Sequence, residues 1–460
     1  MKIVHVNDND LLGSRFNGHD MQIAFNKMGI SCKQFVMDKY GNSPNTILLS
    51  NNIDKQLLRK LCMWYEADFS LNAMIYPYGW SLMNHNDFQS ADVVHYHLVH
   101  NYLLSISMLP ILAAAKPTVY TIHDPWVFTG HCVHPINCNK WEVEKCENCP
   151  HLDRYFPMKD DNAKYMWEIK EAVFSNMDID IVVASKWMLD MVRRSPITSH
   201  LDRVHQIPFG VDTGVFCNKH NKKSKIRERL GIDQNDTVLF FRTEVSEFKG
   251  VPYIQEMLEL LDLSAPVTVL TLGTKGLIKE GSYNLVEVGR VVDSAQVSDL
   301  YTASDMFLMP SAAEAFGVMA IEAMSCELPV IVSEGTALKD VTFAPECGVL
   351  IDKNNAQQFA DTVAMLIDNP DERHKRGKLG RKLVIEHYDI DTYYKNMLEL
   401  YEKVSKRKPQ QNSSNKMKPH HLSNDIKHFQ MFSRFLTDYS DMVTVMVTQP
   451  ELFKEQFGSM

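Results

Sequence analysis

The sequence predicts an α/β protein built from two Rossmann-like, doubly wound halves, followed by a C-terminal helical tail. Short β-rich runs alternate with helix-like stretches, a pattern that calls for parallel strands with both faces covered. The series restarts near Asp233, after an interruption over 209–223 that holds Gly210, Gly214 and a Lys/Asn-rich stretch. The chain has 460 residues, too many for one small core and suited to two domains.

In the first half, the apolar run Lys2–Val6 reads as a strand, the Asn/Asp/Gly-rich stretch Asn7–Gly18 as a loop, and His19–Met28 as a helix. Further β-rich runs are Ser31–Met37, Asp92–Tyr96, Thr118–Ile122, Asp180–Ala184 and Val204–Pro208. Helical patterns lie between them at Lys55–Tyr65, Tyr102–Ala115 and Tyr165–Met177. The second half repeats the scheme with strands at Thr237–Phe241, Val267–Leu272, Asn284–Val288, Asp305–Met309, Pro329–Ser333 and Gly348–Ile351. Its amphipathic segments include Tyr253–Leu261, Val297–Thr302 and Gln357–Ile367, and a stripe of Tyr394, Met397, Leu398, Tyr401 and Val404 ends it. The expected domains are 1–208 and 209–404, with a polar, basic linker over 405–424 and a helical tail over 425–460. In the tail Ile426, Phe429, Phe432, Leu436, Tyr439, Val443 and Met446 share one face, fit to dock on the body, pair between subunits or lie on a membrane. The cleft between two such halves is the default ligand site.

Composition narrows the function classes. Hydrophobic residues make up 45% and charged residues 23%, as in an ordinary globular protein rather than a disordered one. The formal net charge of −9 gives no basic field for nucleic acid. The first residues lack a basic segment followed by an apolar core, and no run of about 18 apolar residues occurs. A cytoplasmic protein is expected, with at most peripheral contact at the inner face of a membrane.

Two segments carry the chemistry. In Ser311-Ala-Ala-Glu314-Ala-Phe316-Gly317-Val318-Met-Ala-Ile-Glu322, a helix begins at Gly317 just after a strand. The backbone N–H groups of Phe316, Gly317 and Val318 would then face a phosphate or sugar oxygen. Glu322 lies about one turn inside, where a carboxylate can accept from a vicinal diol, and Glu314 precedes the helix, where it can face a sugar ring. The competing reading leaves both glutamates as solvated surface residues. In the second segment, Phe241 to Gly250, Arg242 at a strand tip and Lys249 at a helix start are placed to meet one dianion.

The run 305–331 resembles the E-x7-E signature of family 4 retaining glycosyltransferases, which have the GT-B fold. Five further stretches agree in order. Asn9–Gly18 is similar to the family's first glycine loop, with Gly13 facing the donor, and Thr121-Ile-His123-Asp124 to its histidine motif. Ala184-Ser-Lys-Trp187, Ile207-Pro-Phe209-Gly210-Val-Asp212 and the Arg242/Lys249 loop complete the set. The resemblance implies two Rossmann-like domains facing a cleft and a nucleotide-diphosphate sugar donor, UDP- or GDP-linked. Arg242 and Lys249 would hold the diphosphate, Glu322 the ribose, and Glu314 the transferred sugar, which His123 would reach from the other domain. The acceptor would be a hydroxyl of a glycan or lipid-linked oligosaccharide in polysaccharide biosynthesis, and catalysis would require no cofactor. Position 209 is Phe where the family usually has Asn, and Gly335 to Asp340 lacks the usual glutamate. Rival readings are a GT-B sugar-nucleotide epimerase or hydrolase, and a nucleotide-sugar-binding scaffold without turnover.

Of nine cysteines, Cys132, Cys138, Cys146 and Cys149 fall within one stretch after His123, the last two as C-x2-C. That spacing suits a structural zinc site, in which His131, His134 or His151 would be able to replace one thiolate. Free thiols and disulfides are the alternatives, the latter disfavoured in a reduced compartment. This cysteine-bearing loop resembles loops of glycosyltransferases of bacterial exopolysaccharide and colanic-acid type.

Overall fold

A computed structural model describes residues 1–49, 53–262, 265–353 and 355–407. Most of the linker and the whole helical tail expected from the sequence lie outside the described residues. The strands are β1 (Lys2–Asn9), β2 (Ser31–Asp38), β3 (Thr46–Leu48), β4 (Val93–Tyr96), β5 (Thr118–Thr121), β6 (Asp180–Val183) and β7 (Val204–Gln206). They form one sheet in the order β3-β2-β1-β4-β5-β6-β7. A second sheet holds β8 (Thr237–Thr243), β9 (Val267–Gly273), β10 (Asn284–Glu287), β11 (Met306–Met309), β12 (Val330–Ser333) and β13 (Val349–Ile351), in the order β10-β9-β8-β11-β12-β13. Every neighbouring pair in this second sheet is parallel. So are the pairs joining β3, β2, β1, β4 and β5 in the first. Both sheets change direction beside their first strand, the signature of a doubly wound Rossmann-like fold.

The chain divides into two compact units. Among the described residues, one comprises Met1–Ile181, Val192–Arg203 and 401–407; the other comprises Val182–Met191 and Val204–Leu400.

Near-continuous apolar strands follow from burial on both faces. In the second unit Leu239, Phe241, Val269, Met306, Leu308 and Ile331 are buried with Ile254 and Met257 of the helix Val251–Leu260 and Phe359 and Val363 of the helix Ala356–Asp368. In the first unit Ile3, Val4, Val6, Phe35, Val36, Val93, Val94 and Val119 are buried, yet β1 and β4 also bury His5 and His95 as register partners.

Three local differences from the sequence reading have clear causes. β1 continues through Asn9, because Asn7 and Asn9 pair with Val36 and Asp38. The helix expected over Tyr102–Ala115 is confined to Met108–Ala115. Tyr102 has φ 57°, and the Ser105 hydroxyl donates to the Met74 carbonyl at 2.5 Å, fixing a turn before the helix. The highly charged segment Pro370–His387 is a long helix that no apolar stripe announces. It buries Gly377 and Gly380, and a Cβ on Gly377 would lie 2.0 Å from the Glu327 carbonyl oxygen.

Candidate functional site

In the second unit, two loops that follow adjacent strands are stitched together. The loop after β8 enters the helix Val251–Leu260 through Gly250, whose φ is 70°. A Cβ there would lie 2.3 Å from the Pro310 carbonyl oxygen, so only glycine allows this approach to the loop after β11. The Ala312 N–H donates to the Phe248 carbonyl at 2.8 Å. This contact brings Lys249 Nζ to 2.5 Å from Glu314 Oε1, with both side chains mostly covered. Arg242, at the tip of β8, is exposed and pairs instead with Glu244 at 3.1 Å.

Below these loops, Asp305 anchors the start of β11. It accepts from Lys223, from Arg227 and from the Val238 N–H. Burial pushes its carboxyl up, but the charges of Lys223 and Arg227 prevail and hold it below the ordinary carboxylate range.

The helix Val318–Ser325 opens at Gly317, which has φ 98°. A Cβ there would meet Leu338 Cδ2 at 2.4 Å. The first N–H groups of such a helix have no intrahelical carbonyl and suit an anionic ligand. Phe316 is buried edge-on against Phe209, with ring centroids 5.2 Å apart. Phe209 is therefore an apolar support for this turn. Glu322 is fully buried, and the Tyr301 hydroxyl lies 3.1 Å from its Oε2. Tyr301 was not singled out from the sequence; it sits on the helix Ser294–Ala303, where it reads as one of several core aromatics.

In the first unit, Gly13 takes φ 76°, and a Cβ there would lie 2.4 Å from the Phe16 ring. The Asn17 amide donates to the carbonyls of Asn9, Asp10 and Leu12, which fixes this loop. The Phe16 ring in turn lies 5.4 Å from that of His123. His123 follows β5, and Asp124 beside it caps the turn Pro125–Phe128 by accepting from the Trp126 N–H.

Behind His123 runs a chain of imidazoles that sequence reading missed. His123 Nε2 is 3.0 Å from His97 Nδ1, and His97 Nε2 is 3.0 Å from His5 Nδ1. Each link needs one N–H and one lone pair, so the tautomers of the three rings are coupled. His95 stands alongside, bonded to the Tyr401 hydroxyl and to Thr121, each at 2.6 Å. Burial lowers His5 and His123 to about 3, and lowers His95 and His97 well below the usual value, so the cluster is neutral at pH 7. The spacing His95-x-His97, at the end of β4 and just past it, was the available signal.

The same unit has an open pocket of about 390 Å³ lined by Asp8, Arg59, Asn101, Tyr102, Tyr155 and Phe156. The Asn101 amide donates to Asp8 at 3.2 Å, and Arg59 makes two 2.9 Å bonds to Asp38. Cys132, Cys138, Cys146 and Cys149 line a separate, small pocket. Among the described residues, no helix is long and apolar enough to cross a membrane.

Comparison with known proteins agrees with this architecture. Residues 222–383 match the model of the family Glycosyl transferases group 1. A D-inositol 3-phosphate glycosyltransferase of Xylanimonas cellulosilytica is 29% identical over 223 residues, which are 45% of this chain and 53% of that relative. The chain thus spans about half the length of this curated relative. Sucrose-phosphate synthase from Thermosynechococcus elongatus superposes with a TM-score of 0.61 at 18% identity, covering 88% of this chain and 99% of that one. Anabaena Alr3699/HepE in complex with UDP-glucose gives 0.60 at 14% identity, covering 88% and 100%. These structural likenesses establish the fold, which is that of GT-B glycosyltransferases.

Proposed function

We propose that this protein is a retaining glycosyltransferase that moves a sugar from a nucleotide-diphosphate donor to a hydroxyl of a glycan or lipid-linked oligosaccharide. The observation that carries the reading is the junction of Lys249 and Glu314 beside the helix start at Gly317, within the segment similar to group 1 glycosyltransferases. Breaking the sugar–phosphate bond leaves negative charge on a departing diphosphate. Lys249, Arg242 and the amides of Phe316, Gly317 and Val318 are groups that would meet that charge as it grows. Lys249 would exchange its bond to Glu314 for the diphosphate, which frees Glu314 for the hydroxyls of the transferred sugar. Glu322 would take the ribose; donor entry must uncover it, since it is enclosed here. In this reading the acceptor attacks on the face that the diphosphate leaves, and a donor phosphate oxygen takes its proton. The likeness to a structure solved with UDP-glucose supports a nucleotide-sugar donor.

The decisive experiment pairs a thermal-shift screen of nucleotide sugars with product analysis. One donor should raise the melting temperature, and nucleotide release should depend on an added acceptor. Release or epimerisation of the donor sugar without acceptor would replace transfer by hydrolysis or epimerisation. The absence of any stabilising nucleotide sugar would reject the site.

A further inference from the structure

The segment from Gly130 to Pro150 has little regular structure, only the single turn Lys140–Val143. Ile136, Lys145, Cys146 and Asn148 all take left-handed backbone conformations, with φ of 51°, 52°, 61° and 52°. Such residues cost on the order of 1 kcal/mol each and persist only when their surroundings hold them. No disulfide does so here, because all nine cysteines are free thiols.

The side chains of this segment turn inward. Cys132 and Cys146 are buried, and Cys149 is half-buried. All three line one small pocket with His131. His131 is itself buried, and its Nδ1 lies 3.3 Å from the Tyr155 carbonyl oxygen. A carbonyl only accepts, so Nδ1 carries the proton and Nε2 presents its lone pair to the pocket, the arrangement of a metal-binding imidazole. That Nε2 is 3.4 Å from Cys149 Sγ and 3.8 Å from Cys132 Sγ. Zinc bonds of about 2.3 Å to sulfur and about 2.0 Å to nitrogen put ligand atoms about 3.6 Å apart at tetrahedral angles. The two measured separations bracket that value. Cys146 completes a C-x2-C pair with Cys149, and its Sγ accepts from the Gly130 N–H at 3.2 Å, as a thiolate would.

A trio elsewhere, His5, His95 and His97, has ligand atoms that all lie within 4.8 Å of one another. Both nitrogens of His95 are already bonded to Tyr401 and Thr121, and His5 and His97 bond to each other, so that trio is a hydrogen-bonded network.

We propose that the loop pocket is a closed, structural zinc site whose four ligands are His131 Nε2 and the thiolates of Cys132, Cys146 and Cys149. Each thiol gives its proton to solvent as the ion binds, with no change of oxidation state. Cys138, on the pocket wall, stands outside the set. The site staples the loop and is independent of how the second unit binds a donor.

The full-length chain, purified from zinc-supplemented cells, should carry one zinc per chain by elemental analysis and release it when its thiols are blocked with a mercurial. The C146S/C149S and H131A variants should lose the metal, and C138S should keep it. Cobalt put in place of zinc in the wild-type chain should show the visible absorption of a tetrahedral thiolate site, a reading that does not depend on any variant folding. A zinc content far below one per chain, or a cobalt spectrum without thiolate character, overturns the site. Loss of zinc in C138S with retention in H131A overturns this ligand set.

Discussion

Lys249 Nζ and Glu314 Oε1 lie 2.5 Å apart although 65 positions separate them in the chain. They meet because β8 and β11 are neighbours, so the loops that follow them open at the same sheet edge. A partly covered pair of this kind adds little to stability, about 0–1 kcal/mol after solvent screening. Its value in the proposed reaction is to hold a cation and a carboxylate ready at one point. K249A should therefore leave the melting temperature within a few degrees of wild type and weaken donor binding at least about tenfold, as expected for loss of a charge-assisted contact. E314Q should keep donor affinity and lose most turnover. Equal losses of binding and turnover in both variants would argue against these separate roles.

Gly250 makes that meeting possible. An alanine in its place would carry a Cβ 2.3 Å from the Pro310 carbonyl oxygen, a backbone atom that cannot swing aside, at a φ of 70°. G250A should cost about 1–3 kcal/mol and lower the melting temperature by several degrees. Because the displaced loop carries Lys249, donor affinity should fall with it. Gly231 is the control: it also has positive φ, 71°, but no atom lies within 4 Å of its added Cβ. G231A should be destabilising and leave donor affinity unchanged.

How far such a site could be read from sequence depended on the kind of signal. Strands such as Val267–Gly273 were legible because a parallel strand buried on both faces is written as an apolar run. Gly317 was legible because a helix start after a strand has a local composition. The contact of Lys249 with Glu314 was not, since nothing in either loop encodes which strands are neighbours. Pro370–His387 escaped notice because glycines, which make no hydrophobic stripe, form part of its buried side. The imidazole chain was hidden for a related reason. Its links run between β1, the end of β4 and the loop after β5, and only the sheet order brings those together.

The imidazole cluster also sets a pH dependence. Burial holds His5 and His123 at about 3 and His95 and His97 well below the ordinary value, whereas an unfolded histidine titrates near 6.5. Between those limits the unfolded chain binds protons that the folded chain refuses, so stability must fall as pH drops from about 6.5 toward 3. Glu66 opposes this in part. Burial raises it to about 7, so the folded chain takes up that proton before the unfolded chain does. Four imidazoles outweigh one carboxyl, and the net slope keeps the histidine sign. Melting temperatures should decline steadily from pH 7 to pH 5. H5F removes one of the refusing rings and should flatten the slope by up to about 1.4 kcal/mol per pH unit, the limit for one full proton. A wild-type stability that is flat, or rises, over that range would contradict the burial argument.

Under the proposed function, the pocket of the first unit would suit a sugar. Tyr102, Tyr155 and Phe156 offer aromatic surface, while Asp8 and Asn101 offer an acceptor and donors at one wall. Sugars present apolar C–H faces and directional hydroxyls, and a pocket that receives them needs both kinds of partner. In the proposed transfer, with the diphosphate held by Lys249 and Arg242 of the second unit, this pocket would take the acceptor. Tyr155 is 55% exposed, so its removal should cost little stability. An aromatic contact worth about 0.5–1.5 kcal/mol corresponds to roughly a 2- to 13-fold change in binding. Y155A should raise the acceptor KM by that factor and leave kcat and donor affinity unchanged. N101A should act in the same direction, since it removes a donor beside Asp8. If both variants instead weaken donor binding and spare the acceptor KM, the pocket belongs to the donor and the division of labour between the two units is reversed.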